Sequence, residues 1–580
     1  MSPFKKKPIH SLRLLGHLLL MSFRSSPPQT TGMPSGIPYI ISNEAAERFS
    51  FYGMKAALAV FLVNYLSALG GENLTESEAT SYTSYFNSAV YFTPLLGAFL
   101  ADGFAGKYRT ILVLSVVYCL GHLCLAFTGI GGVVQFWLLS GLGLIALGAG
   151  GIKSCVSAHV GDQFGAANAH LLPKVFNLFY FSINAGAILS NLSIPLILYH
   201  FGPHWAFGIP GILMALATLF FWMGRQKFIH IPADRHEFLA EFFSWQGFSV
   251  LLRLSPLYLF VAIFWCLFDQ TANTFVFQAE KMDRFFFGYE VLPSQIQAVN
   301  PFLILILIPL FTYVIYPSIE RIVPLTPLRK IGAGLFLMVL SFQVVTWSQE
   351  RIDAGATPHV LWQILAYSIL TSAEIMVSIV CLEFSYTQAT PRMKSMVMGF
   401  FLASVALGNG ITGLVNDFIR VPVSPLDSPP ISLQSAAKDA SRILTETGQL
   451  PPHLGNIGKI RYELLHAGQA RLSLPGPDQE FRTADDETAL LTLIDERKED
   501  PDSWLARELA KKEVAGGSAD SLLSIPLSEQ APFTLQYQRG GGTRLEGSAY
   551  FATFTKLMLI AALLFIPYAY FYRGKTYLQG

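Results

Sequence analysis

The sequence predicts an all-α polytopic membrane protein: twelve transmembrane helices in two six-helix bundles, with a partly helical insert on the outer side. Three observations carry that reading. The 580 residues are 52% hydrophobic and only 14% charged, with a mean hydropathy of +0.44, a balance outside the range of soluble domains. Twelve apolar stretches are each long enough to cross a hydrocarbon core about 30 Å thick. A longer, more polar connection at 225–253 divides them six and six, the layout of a transporter whose halves rock about a central site. The lipid bilayer is therefore one partner, and a net charge of +1 gives no reason to expect nucleic acid.

Residues 1–36 read as a basic N-terminal tail. Lys5, Lys6, Lys7 and Arg13 precede an apolar piece, Leu14 to Phe23, which is too short to span. No clear small-residue cleavage site follows it, which weighs against a signal peptide, and Met33 would serve as a start just before the first span. Spans are expected near 37–68, 79–101, 107–129, 133–158, 172–199, 203–224, 254–279, 294–316, 325–348, 357–388, 392–419 and 548–572. They group into an N-terminal bundle over 37–224, a cytoplasmic linker over 225–253, helices seven to eleven over 254–419, an extracytoplasmic insert over 420–547, and the last helix with its tail over 548–580. Lys107, Arg109, Lys174, Arg225, Lys227, Arg329, Lys330, Arg573 and Lys575 lie in connections on the side of the N-terminus, whereas Glu72, Glu76 and Glu78 lie opposite. The positive-inside bias therefore puts both termini in the cytoplasm, in a plasma or inner membrane.

The first span carries its own charges. At 100° per residue Glu44, Glu47, Arg48, Phe51 and Lys55 share one helical face, with Tyr52 beside them. Each charge costs about 2.5–3.5 kcal/mol near the bilayer midplane, so all must face protein or water and find partners. Lys153 lies in a small-residue stretch, Gly148 to Ile152, that lets another helix approach, and it calls for a carboxylate. Asp269 and Glu374 are lone acids in the second bundle, and Asn184 and Asn300 add neutral amides. For each alone, a helix-to-helix pin is as good a reading as a functional one. Bases in the first bundle facing acids in the second suit a zwitterion.

Residues 420–547 are Pro-, Ser- and charge-rich, with helical runs at Ala436 to Thr447 and Asp485 to Lys512 and no apolar face to bury against the bundle. No nucleophile elbow, zinc spacing or phosphate loop occurs in them, so no enzyme, catalytic residue or cofactor is expected. Cys119, Cys124, Cys155, Cys266 and Cys381 sit inside apolar segments without metal or disulfide spacing.

Several motifs carry a resemblance. Gly97 to Arg109, through Gly106-Lys107-Tyr108-Arg109, resembles the inner-loop motif of the major facilitator superfamily, although Ala105 replaces a bulkier residue. Glu44-x-x-Glu47-Arg48-Phe49-Ser50-Phe51-Tyr52-Gly53 resembles the E-x-x-E-R-F-x-Y-Y-G motif of the proton-dependent oligopeptide transporter family. Phe176 to Ile188, Gly161-Asp162-Gln163-Phe164, Phe264 to Gln270 and Leu382 to Ala389 are similar to further signatures of that family, in family order. The resemblance covers about 37–419 and the last span, and leaves the insert uncovered.

What it implies is a major facilitator fold and proton-coupled symport importing di- and tripeptides by alternating access, with peptides and protons as partners. Arg48 and Lys153 would then hold the peptide carboxylate, Glu374 its ammonium, and Asn184 and Asn300 its backbone. Tyr52, Tyr91 and Trp265 match cavity positions, Glu44, Glu47 and Lys153 the proton-coupling group, and Asp269 and Arg253 gate positions. Glu47 is expected to pair with Lys153 until substrate or a proton intervenes. Phe51 and Phe400 depart from the family's Tyr and Trp, Ser84 stands where animal members carry His, and Thr312 replaces an inner-gate acid. The alternative is the same fold carrying nitrate, another small anion or an amino-acid-like substrate. Retention of Glu374 opposite the bases speaks against an anion. A receptor-like or enzymatic role for the insert has no motif behind it.

Overall fold

A computed structural model of the chain describes residues 23–233 apart from 28, then 240, 244–388 apart from 287, 394–447 apart from 427, 454, 459–466, 469–493, 503–508 apart from 506, and 533–572. The basic stretch before residue 23, Arg235, Arg573 and Lys575 lie outside the described residues. Six helices form the N-terminal bundle: α1 (Ile37–Asn64), α2 (Glu76–Leu100), α3 (Lys107–Ala126), α4 (Val134–Asp162), α5 (Leu172–Phe201) and α6 (Pro203–Met223). The second bundle has α7 (Trp245–Phe268), α8 (Val299–Leu310), α9 (Pro327–Asp353), α10 (Leu361–Glu374) and α11 (Lys394–Ile419). After α12 (Ile431–Thr447) in the insert, α13 (Gly547–Phe571) completes it. Among the described residues eleven helices are long and apolar enough to cross a membrane. The remaining one is α1, whose length suffices but whose four charges interrupt its apolar run. The seventh helix starts at Trp245, inside the stretch read as linker.

Local signals set the helix starts. Thr75 caps α2 by accepting from the Glu78 amide while Glu78 returns to the Thr75 amide, and Thr326 caps α9 with Pro327 at its first position. Each bundle has its own core. Phe61, Tyr118, Phe207 and Phe221 are fully buried in the first, and Phe264, Phe275, Phe342 and Phe554 in the second. Phe136, Leu216, Leu259 and Leu414 point outward, as a lipid-facing surface requires.

Small residues bring α2 against α4. A Cβ on Gly97 would overlap the Gly151 backbone, and one on Gly150 would overlap Thr93. Thr93 Oγ1 donates to the Ala146 carbonyl at 2.7 Å and Ser154 Oγ to that of Pro94 at 3.0 Å. Lys153 is held between those contacts.

The bundles meet mainly along α2 and α11. Ser77 and Ser81 donate to the Asn416 and Gly413 carbonyls, Ser88 to that of Ala406 at 2.8 Å, and Tyr85 to Asp417 at 2.6 Å. Lys281 pairs with Glu76 and Arg420 with Glu78, both at 2.8 Å. Among the described residues, polar links between bundles run from mid-height to the end that bears the insert. At the opposite end the chain passes from α6 to α7. There Phe23 stacks on His230 at 4.0 Å and the His230 amide donates to the Arg24 carbonyl.

The insert is more than intermittent helix. The helical run expected from Ala436 is present in α12, but the described part of the insert also holds a five-stranded antiparallel sheet. After the separate hairpin of β1 (Phe285–Phe286) and β2 (Tyr289–Glu290), its strands are β3 (Val423–Pro425), β4 (Arg461–His466), β5 (Gln469–Leu474), β6 (Glu487–Leu493) and β7 (Phe533–Gly540), in the order β3-β7-β6-β5-β4. Leu433, Ala436, Ala440 and Leu444 of α12 lie on Ala470, Leu472, Ala489, Leu491 and Leu535. The helix expected over Asp485 to Lys512 begins instead as β6, because a strand buries Ala489 and Leu491 on one face against β5 and β7. The expectation of no apolar contact with the bundle is also corrected. Trp504 stacks on Tyr65 (centroids 6.1 Å, 19°) and covers Gly202, whose φ of +84° makes the tight turn from α5 to α6. Arg507 Nη2 reaches the His200 carbonyl at 2.5 Å. On the other side Arg471 bonds Glu546 at 2.8 Å just before α13. Burial pushes the Glu546 carboxyl up, but Arg471, the Thr543 amide and Arg482 outweigh it and hold it below its ordinary value.

Candidate functional site

The charged stripe of α1 faces the second bundle, where Lys55 meets Asp269 and Tyr52 lies in range of Glu374; the space between these residues is the cleft. Glu44 and Glu47 are 1% exposed, and both flank one guanidinium: Arg48 Nε lies 2.7 Å from Glu44 Oε1 and 3.1 Å from Glu47 Oε2. Among the described residues no protein acceptor is bonded to the terminal nitrogens of Arg48. Sharing one cation is how two acids at i and i+3 can both be carried in a membrane helix.

Lys153 does not sit on a carboxylate, contrary to expectation. Its ammonium lies over the Phe51 ring at 4.2 Å and the Tyr91 ring at 4.1 Å. Glu47 and Asp269 are in electrostatic range, but Glu47 has taken Arg48, its helical neighbour. Two aromatic faces carry the charge instead.

Across the cleft, Glu374 ends α10 where the helix widens into a π turn, Ile375–Ile379. Its Oε2 accepts from Asn300 Nδ2 at 2.9 Å, and Asn300 also donates to Thr371. Among the described residues Glu374 has no cation partner. Tyr52 lies within electrostatic range of Arg48, Glu374, Glu47 and Asp269, so α1 and α10 present opposite charges to one space. Asn184 donates to the Tyr180 carbonyl at 2.9 Å, and Tyr180 lies near both Glu374 and Tyr52. Trp265, packed on Phe268 at 5.0 Å, has a buried indole N–H without a protein acceptor.

Asp269 belongs to a different contact. Lys55 Nζ bonds its Oδ1 at 2.8 Å and Asn409 Nδ2 its Oδ2 at 2.7 Å, joining α1 to α7 and α11. Lys55 and Asn409 were missed as site residues. A lone lysine on the stripe and a lone acid in the seventh span were the available signal. Arg253 lies near Tyr572 and forms no ion pair among the described residues.

The family model described as the POT family, PTR2, matches residues 108–248 and 245–427. The chain belongs to the POT family. The fly peptide transporter family 1 of Drosophila melanogaster is 39% identical over 366 residues, 56% of this chain and 48% of the fly protein. Mouse (Mus musculus) solute carrier family 15 member 2 is 36% identical over 387 residues, 59% of this chain and 52% of the mouse protein. The chain thus spans about half the length of the curated relatives it matches. The in meso crystal structure of the POT family transporter PepTSo superposes with a TM-score of 0.60 at 37% identity, covering 70% of this chain and 93% of that one. An auto inhibited POT family peptide transporter reaches 0.66 at 29% identity, covering 94% of this chain and 99% of that one, an extent that includes most of the insert. The two-bundle membrane fold is that of these POT structures.

Proposed function

We propose that this POT family member is a proton-coupled symporter that imports di- and tripeptides by alternating access. The observation that carries the reading is Glu374, a carboxylate that among the described residues is held only by a neutral amide, with Tyr52 in range of both it and Arg48 and Tyr91 in range of it and under Lys153. An extended peptide of two or three residues is a zwitterion with its charges at its ends. Its ammonium takes Glu374 in a charge-assisted pair, and its carboxylate takes the terminal nitrogens of Arg48 and the ammonium of Lys153. Asn184, Asn300 and the Trp265 N–H serve the peptide backbone, and Tyr52 and Tyr91 line the space between.

Coupling follows from competition for Arg48. When Glu47 is ionised, Arg48 is shared by two acids and is a weaker carboxylate anchor. When Glu47 takes a proton, the guanidinium turns to the substrate. Glu44, Glu47 and Lys153 thereby link proton occupancy to peptide binding. Asp269 with Lys55 gates the insert end, and Arg253 the opposite mouth. With both termini in the cytoplasm of the cell membrane, the insert is extracytoplasmic.

The test is uptake into proteoliposomes under an inward proton gradient, with labelled dipeptides, tripeptides, nitrate and single amino acids. Accumulation of peptides alone supports the reading. Accumulation of nitrate or amino acids without peptides overturns it.

A further inference from the structure

Beside the charged stripe of α1, a second set of polar groups is buried without hydrogen-bond partners among the described residues, although Glu47 Oε2 keeps its ion pair with Arg48 at 3.1 Å. Both side-chain atoms of Asn43, both oxygens of Glu47, Ser115 Oγ, the Tyr118 hydroxyl and both ring nitrogens of His122 make no protein hydrogen bond. All but Glu47, at 1%, are fully buried. Asn43 and Glu47 are one turn apart on α1, and Ser115, Tyr118 and His122 follow at i, i+3 and i+7 on one face of α3. The stripes belong to one place. Tyr118 lies within electrostatic range of Glu47 and Arg48, and its ring is 4.9 Å from that of His122. Both helices lean on the same point of α6: Ser50 donates to the Pro210 carbonyl, and Gly211 is kept free of a Cβ by the His122 side chain. The His122 ring approaches the Phe207 carbonyl without meeting hydrogen-bond geometry.

Groups of this kind surrender their hydrogen bonds to water on burial and lose stability unless something replaces them. An apolar bundle interior supplies nothing. Serines in these helices usually turn back on their own carbonyls, as Ser190 does to Ala187, whereas Ser115 does not. The set holds both donors and acceptors, which is what a water making two to four bonds requires.

We propose that the interior of the N-terminal bundle binds a small cluster of ordered water between α1 and α3, lined by Asn43, Glu47, Ser115, Tyr118 and His122. The cluster solvates Glu47. It gives the Glu47 proton a partner that does not change when peptide enters the cleft. This last consequence rests on the reading of Glu47 as a coupling group, but the hydration does not.

Radiolytic hydroxyl-radical labelling of the full-length protein in nanodiscs tests the hydration, because bound water generates radicals where bulk water cannot reach. The internal control is Tyr367, equally buried but bonded to the Thr271 carbonyl in the second bundle. Tyr118 and His122 should label roughly tenfold faster than Tyr367. Labelling of Tyr118 no faster than Tyr367 overturns the proposal, whatever the protein transports. In the double variant Tyr118→Phe/Ser115→Ala, His122 labelling should fall and the pH profile of gradient-driven uptake should shift while peptide counterflow persists. Unchanged His122 labelling in a variant that still performs counterflow also counts against the site.

Discussion

Lys55→Ala tests what holds the two bundles together at the insert end. The ammonium bonds Asp269 at 2.8 Å, the two side chains are 12% and 7% exposed, and among the described residues Asn409 supplies the only other donor. Truncation leaves a buried carboxylate with one neutral amide, and removing one partner of such a pair costs about 2–5 kcal/mol. That cost falls on the closed state alone, since an opened interface gives Asp269 water. At about 1.4 kcal/mol per decade the closed-to-open ratio drops by about thirtyfold to several thousandfold. Spin labels at Glu72 and Tyr289, exposed positions on opposite bundles at this end, report it by double electron–electron resonance. Wild type should give one short distance and Lys55→Ala a second, longer population. Lys55→Ala/Asp269→Asn should recover the short distance, because no charge is left stranded. If Lys55→Ala alone keeps the wild-type distribution, the pair is a passive contact and the α2–α11 seam does the closing.

Glu374→Gln should weaken free-amine dipeptides far more than N-acetylated ones, by about 2–5 kcal/mol in competition assays; equal losses would remove Glu374 from the ammonium site. Glu47→Gln should abolish gradient-driven accumulation while counterflow survives in part, whereas Arg48→Ala should lose both, and accumulation at wild-type level in Glu47→Gln would move coupling elsewhere. Trp504→Ala uncovers Gly202 and frees the insert from the α5–α6 corner, so hydrogen exchange near Tyr65 should rise with the membrane fold intact; unchanged exchange would mean that the contact holds nothing. The Glu546 carboxyl is held below its ordinary value, so its link to Arg471 contributes above the usual carboxylate range and is lost as pH falls through the lowered value. Exchange in β5 should therefore rise at acid pH, and Glu546→Gln should remove that dependence.

Helix positions were readable because the bilayer demands long apolar runs, and the demand is met one segment at a time. The stripe of α1 was readable for the same reason: Glu44, Glu47 and Arg48 are conspicuous only because a membrane helix should not contain them. Partner choice was not. Lys153 is as well served by Phe51 and Tyr91 as by an acid, and one-dimensional spacing does not tell an aromatic cradle from a carboxylate. Lys55 and Asp269 are two hundred residues apart in sequence (214), so their meeting depends on how the bundles close. The sheet escaped notice for another reason. Its strands are short, the stretch between Leu493 and Phe533 is long and polar, and one face is buried by alternating Ala and Leu, a pattern that a few residues of amphipathic helix imitate.

The ordered sheet has a practical consequence for imaging. A helical transporter of this size is almost wholly enclosed by detergent or lipid, which leaves single-particle methods little to align on. Here a water-exposed body with its own apolar centre is tied at Glu546 to the start of α13 and at Trp504 to the opposite bundle. It is a built-in fiducial. A binder raised against the exposed edge of β3 or β4 would add mass without touching the cleft, so that images of each transport state could be sorted by the angle between this body and the membrane disc.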